Sequence, residues 1–214
     1  MIKVETPQSF LLQSRQQRYS VGLSEPQVPL FAEPSAQFDL GVLFRRMIGV
    51  AKMRAEAFVD LKQDNSRIVN LEGIAIVALA GLSLGLGNAF AFPSGTFAMI
   101  TQVLTNIVLA LLITASWSGL VYLIGTRIFK GVTDFPGLAR PIFFSLSPGL
   151  LFVLSSISEI RQFVSPIVAA WIIIINVIAL KHSMGFSSQK SMVTVIVGAW
   201  IMIFALNVLG LLSG

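Results

Sequence analysis

The sequence predicts an all-α, polytopic membrane protein: five transmembrane helices preceded by a cytoplasmic amphipathic helix. Three observations carry this. Of 214 residues, 55% are hydrophobic and only 12% charged, where a soluble domain usually carries about 25% charge. Mean hydropathy is +0.82. Charged side chains vanish from the whole of 73–126, a run too long for one crossing of about 20 residues and long enough for two. Finally, Lys and Arg are distributed unevenly between the connecting segments, as in proteins whose orientation is set by cytoplasmic positive charge.

Taken in order, residues 1–36 read as a flexible polar tail rich in Gln, Ser and Pro (Pro7, Pro26, Pro29, Pro34), with too little apolar area to offset ordering entropy. They hold no apolar core of signal-peptide length, so no cleaved export signal is expected and the first span serves as the insertion signal. The amphipathic region occupies 37–67. At 100° per residue, Leu40, Leu43, Phe44, Met47, Ile48, Val50, Ala51, Phe58 and Leu61 share one face, and Arg45, Arg46, Lys52, Glu56 and Asp60 the other. That pattern predicts one helix over 38–62. It either lies in the membrane interface, with Arg45, Arg46, Lys52 and Arg54 near anionic headgroups, or packs beneath the bundle or on a partner helix. Arg54 falls inside the apolar face and must snorkel or find an acidic partner.

Residues 68–214 form the transmembrane domain. The turn signal Phe92-Pro93-Ser94-Gly95 divides the charge-free run into spans at about 73–92 and 97–126. After a polar loop, Arg127 to Arg140, a short third span covers about 141–158, with Pro148 expected to kink it. Glu159 and Arg161 mark a tight turn before the fourth span, about 163–180. The loop Lys181 to Lys190 leads to the fifth, about 191–213. The third and fourth spans are short enough to form a hairpin crossing only part-way. Nine Lys and Arg precede the first span, three lie in 127–140 and two in 181–190, whereas the alternate side has only Arg161. This places the N-terminus in the cytoplasm and the C-terminus outside.

Chemistry is sparse. No cysteine is present, which excludes disulfides and thiolate ligands. The span cores hold no ionisable group, whereas pumps and intramembrane enzymes normally keep some there. His182 has no Glu or Cys at ligand spacing and reads as a solvated loop residue. No phosphate-cradling or hydrolase motif occurs. Neither catalysis nor a metal or cofactor is expected, and nucleic acid is not, because the basic residues flank apolar segments. Gly81-x-x-x-Gly85 offers a helix-packing face, within the bundle or in a dimer. Asn88, Asn106, Asn176 and Asn207 either bond across helices or line a polar path.

Three stretches carry a family resemblance: FRRMIGVAKMRAEAFVDLKQD from Phe44, YLIGTRIFKGVTDFPGLARPIFFSLSPGLL from Tyr122, and AAWIIIINVIALKHSMGFSSQKSMVTVIV from Ala169. Over about 42–210 the chain resembles the Yip-domain family of Ypt/Rab-interacting membrane proteins, in its prokaryotic branch. The acidic-Leu-Tyr-Gly-Pro segment of eukaryotic members is absent. The resemblance implies a five-span bundle without enzymatic activity and a role in membrane organisation or trafficking; the charge-free spans and the amphipathic helix point to a scaffold or adaptor. The alternative is a transporter or channel component, or an accessory subunit of a larger complex. The partners expected are the lipid bilayer and other membrane proteins or further copies, in a prokaryotic plasma membrane rather than an endomembrane.

Overall fold

A computed structural model describes residues 38–92 and 95–213; the tail expected over 1–36 lies outside them. The described residues form α1 (Leu40–Ala51), α2 (Ala55–Gln63), α3 (Arg67–Ala91), α4 (Thr96–Leu123) with a π turn (Ile124–Ile128), α5 (Phe135–Phe144), a 3-10 segment (Ser147–Ser156), α6 (Arg161–Met184) and α7 (Ser188–Ser213). Five stretches are long and apolar enough to cross a membrane: Arg67–Ala91, Thr96–Ile128, Phe135–Ser156, Arg161–Met184 and Ser188–Ala205. Alternating connections put α1, α2 and the 129–134 and 185–187 linkers at one end, called here the charged end. The C-terminal end of α3, the start of α4 and the 157–160 connection lie at the other.

The single helix expected over 38–62 is two helices. Ala51 ends α1, Met53 takes a left-handed φ of 57°, and two bonds close the turn. The Arg54 N–H donates to Gly49 O at 3.0 Å and the Met53 N–H to Val50 O at 2.8 Å, the six-to-one and five-to-two pattern that terminates helices. Glycine usually fills the left-handed position, and a methionine there gives the sequence no stop signal. Folding back brings Leu43, Met47, Val50, Phe58 and Leu61 onto one apolar cluster with Val69 and Ile76 of α3, Phe144 of α5, and Ile175 and Ala179 of α6. The Trp171 indole N–H donates to Ala51 O at 3.1 Å, giving an end carbonyl of α1 a partner. Of the two placements open for this region, this is packing against the end of the bundle.

α3 packs along α4 on one side and the 3-10 segment on the other. Gly81 and Gly85 face α4: a Cβ on Gly81 would come 2.8 Å from Ala110 Cβ, and one on Gly85 2.8 Å from Val103 Cα. Gly87 faces the 3-10 segment so closely that a Cβ would strike the Phe152 carbonyl oxygen. Gly149 approaches α3 from the other direction, where a Cβ would sit 2.9 Å from Ala80 Cβ.

The third span begins at Phe135, not near 141, because Pro136 suits a first helical turn and Arg140 is accommodated inside the helix. Pro148, expected to kink a continuous helix, instead stands in the first turn of a ten-residue 3-10 segment, where such runs seldom exceed about four residues. A 3-10 helix rises about 2.0 Å per residue against about 1.5 Å for an α-helix. The stretch therefore lengthens a span that looked short, to about 35 Å or more along its path, enough for a hydrocarbon core of about 30 Å. Its irregular backbone is answered by one side chain of α3. The Ser83 hydroxyl donates to Leu150 O at 2.7 Å and accepts from the Val153 N–H at 2.8 Å. A neighbouring hydroxyl of this kind is what non-α backbone needs at membrane depth.

At the end away from α1 and α2, Arg161 donates to Ser155 O at 2.8 Å and Ala91 O at 3.5 Å and lies 5.0 Å from the Phe92 ring centroid. One cation thus meets the carbonyl ends of two segments, where the helix dipole favours positive charge. α6 runs on to Met184 and stops at Gly185, whose φ is 68°.

Replacing Gly87 by Ala forces α3 off the 3-10 segment and should lower stability by about 1–3 kcal/mol, the usual range for overpacking. Gly119→Ala, where no atom lies within 4 Å of the added carbon, should leave the melting temperature in detergent unchanged or slightly raised. Equal losses in the two variants would contradict the close contact.

Candidate functional site: a charge clamp and a lateral cleft

Two polar groupings organise the charged end. Arg46 of α1, expected on the polar face near headgroups, is instead 6% exposed. Its Nη1 donates to Glu72 Oε2 of α3 at 2.9 Å, and its Nη2 to Asp64 Oδ2, just after α2, at 2.6 Å. Nε approaches Asp60 Oδ2 at 3.5 Å without hydrogen-bond geometry, and neither atom has another partner. The interface assignment of Arg46 is therefore corrected: apolar neighbours exclude it from the surface and three carboxylates compensate it. Arg45, Lys52 and Arg54 are exposed, Arg54 at the break before α2 rather than within a continuous apolar face.

Three carboxylates around one guanidinium leave an excess of negative charge, and the two aspartates respond oppositely. Burial pushes the Asp60 carboxyl up, more than Arg46 draws it down, and Asp64 adds to the rise. Burial pushes Asp64 up too, but hydrogen bonds from Ser66 and the charge and hydrogen bond of Arg46 together hold it below its ordinary value. The Ser66 N–H donates to Asp64 Oδ1 at 2.9 Å.

The second grouping surrounds Arg140, which a count of loop charges had placed in the polar connection. It lies inside α5 and is 4% exposed. Nε donates to Asn70 Oδ1 at 2.7 Å, and Nη1 to Asn65 Oδ1 at 3.1 Å and Lys62 O at 3.4 Å.

Further along the bundle a cleft of about 590 Å³ opens between α4, α6 and α7, lined by Ile113, Thr114, Trp117, Leu146, Asn176, Ile196 and Trp200 among others. It forms beside the part of α7 that follows its last buried described residue, Gly198. Ser191, Thr194, Val195 and Gly198 are buried, and beyond Gly198 no described residue of α7 is. Gly198 allows the Trp117 ring to approach; a Cβ there would lie 3.3 Å from it. The cleft floor is polar at one point. The Trp117 indole N–H donates to Asn176 Oδ1 at 3.1 Å, and Asn176 Nδ2 donates to Ser145 Oγ at 2.9 Å and to Ile172 O at 3.0 Å. Ser145 stands at the break between α5 and the 3-10 segment and donates to Ile142 O at 2.5 Å.

The sequence-selected positions thus separate. Gly81 and Gly85 serve contact within the bundle, and Pro148 opens the 3-10 segment. Asn176 bonds across helices, whereas Asn106 and Asn207 bond to carbonyls of their own helices, Gln102 O and Ile203 O. His182 is not in a loop: it belongs to the last turn of α6 and stacks on Phe58, centroids 5.9 Å apart. Among the described residues no three His, Asp or Glu side chains meet in a metal-binding arrangement. Glu72, Asp64, Asn65, Asn70 and the partners of Asn176 (Trp117 and Ser145) were missed, since each depends on residues far along the chain. No family model matches this chain, and neither a curated protein nor a solved structure is significantly similar to it.

Removing Arg46 as Arg46→Gln leaves buried carboxylates unpaired and should cost about 3–5 kcal/mol, read as a fall in melting temperature. Asp60→Asn should do the reverse at neutral pH. A carboxyl held above its ordinary value opposes folding once ionised, so the gain should fade as pH falls through that raised value. Asp64→Asn should destabilise at neutral pH and lose its effect in acid. The same sign for both aspartate variants at neutral pH would sink the assignment.

Proposed function

We propose that this chain is a non-enzymatic integral membrane scaffold or adaptor of Yip-domain type, acting in membrane organisation or trafficking. The cleft carries the reading. It is apolar over most of its lining, opens sideways between α4, α6 and α7, and belongs to a bundle whose charged side chains gather near its two ends. A polar solute finds few groups there to replace its hydration, whereas the apolar face of another transmembrane helix finds a groove of complementary chemistry. The partner is another membrane protein or a second copy. The Lys and Arg bias supports a cytoplasmic charged end, with the N-terminus inside and the C-terminus outside, and the resemblance to prokaryotic Yip-domain members supports a prokaryotic plasma membrane as the setting.

A photoreactive residue at Ile196, at the cleft wall, should crosslink to a defined protein partner or a second copy in native membranes. Adducts with lipid alone, at several expression levels, would contradict the scaffold. A single cysteine at Thr96 should react with an impermeant reagent only from outside, and one at Ser188 only from the cytoplasmic face.

A transporter or channel component is favoured by one observation: the third span breaks at Ser145–Leu146, beside Asn176 and the cleft floor. Broken helices with polar neighbours line substrate sites in carriers. Rapid labelling of Thr114→Cys by an impermeant thiol reagent would favour this reading, because it demands a water path to the cleft floor. Slow labelling favours the scaffold.

A further inference from the structure

Arg140 and Arg46 are both buried at the charged end of the bundle, yet among the described residues only Arg46 has a counter-charge. The partners of Arg140 are two amide oxygens and a backbone carbonyl. No described carboxylate pairs with it within 4.0 Å, and two carboxylates at this end are engaged elsewhere: Glu72 with Arg46, Asp64 with Arg46 and Ser66. A guanidinium cannot escape the penalty of burial by losing its proton, and a buried charge without a counter-ion is among the most costly arrangements in a folded chain.

Three of its five N–H groups are used. Nη2, with two, donates to no described residue, although it is not sealed from its surroundings. Asn70 in the first turns of α3, Asn65 before it and the Lys62 carbonyl hold Nε and Nη1 and leave Nη2 without a described partner. Arg67, Arg127 and Lys130 are exposed at the same end of the bundle, where their field gathers anions.

We infer that Arg140 is an anion-binding residue whose free Nη2 edge takes a phosphate group, either the headgroup of an anionic phospholipid in the adjoining leaflet or free inorganic phosphate. Guanidinium and phosphate match in geometry and charge, and basic pockets between helices at the cytoplasmic surface suit lipid headgroups. The inference does not depend on the scaffold reading, which rests on the cleft at another depth of the bundle.

The test is thermal unfolding of the full chain in mild non-ionic detergent, followed by tryptophan fluorescence. Salt at about 1 M reduces the screening length to about 3 Å and suppresses the contribution of the exposed cations. Dioleoyl phosphatidylglycerol should raise the melting temperature by about 2–4 °C, and dioleoyl phosphatidylcholine much less. If inorganic phosphate at equal phosphorus concentration gives the full shift, the anion is free phosphate; if it gives little, the anion is the lipid headgroup. The deciding variant is Asn70→Asp, which keeps the side-chain shape, sets a carboxylate on Nε and answers the charge from within. It should fold at least as well as the natural chain and lose most of the shift. Arg140→Gln should lose it too, but also gives up three hydrogen bonds. An unchanged shift in Asn70→Asp, equal shifts with the two lipids, or no shift with any of the three additives would each overturn the assignment.

Discussion

A guanidinium taken out of water at the end of an apolar bundle needs negative charge close by, and Arg46 draws it from two other segments. Asp60 and Asp64 lie at the end of α2 and just beyond it, and Glu72 lies in α3. One residue of α1 therefore fixes the angle of the α1–α2 turn and seats both helices on α3. The apolar face that follows, Leu43, Met47 and Val50 with Phe58 and Leu61, then closes over Val69, Ile76, Phe144 and Ile175. Neither contribution suffices alone. Burying that face is worth about 25 cal/mol per Å² but sets no register, whereas the ion pairs fix the register at a desolvation cost that packing must offset.

The same logic of compensation runs through the third span. A ten-residue 3-10 segment tolerates its poor hydrogen-bond geometry because Ser83 supplies both a donor and an acceptor to it, and because Gly87 and Gly149 let the two backbones approach. The longer rise per residue lets 22 residues in two halves do what the neighbouring spans do with continuous helices. The break between the halves also puts Ser145 beside Asn176 and Trp117, so the polar floor of the cleft follows from how the span achieves its reach. α7, whose described residues are buried no further than Gly198, lines the other side of that cleft.

Much of this was legible in the sequence. Five apolar stretches divided by Pro93, by the Arg127 to Arg140 loop, by the Glu159–Arg161 turn and by the Lys181 to Lys190 loop follow from hydropathy and turn chemistry, and Gly185 marks the stop of α6 as glycine ordinarily does. The errors share a cause. Charged residues were read as span boundaries, but a charge with a partner does not end a helix: Glu72 sits within α3 opposite Arg46, 26 residues earlier, and Arg140 within α5 opposite Asn70, 70 residues earlier. The stop of α1 was invisible because Met53 takes the position that glycine would have announced. The cleft was invisible because nothing in the composition of α7 distinguishes its packed half from its open one.

The resulting molecule joins a charged end, where carboxylates surround Arg46 and amide and backbone oxygens surround Arg140, to a bundle of five stretches long and apolar enough to cross a membrane. In it α1 and α2 are part of the bundle rather than a peripheral helix resting on a membrane. Hydrogen–deuterium exchange of the full chain in nanodiscs tests this most directly. The amides of 44–51 should exchange as slowly as those in the first turns of α3, and should become fast in Arg46→Gln while the centre of α3 stays protected. Fast exchange over 44–51 in the natural chain, unaffected by loss of Arg46, would contradict it.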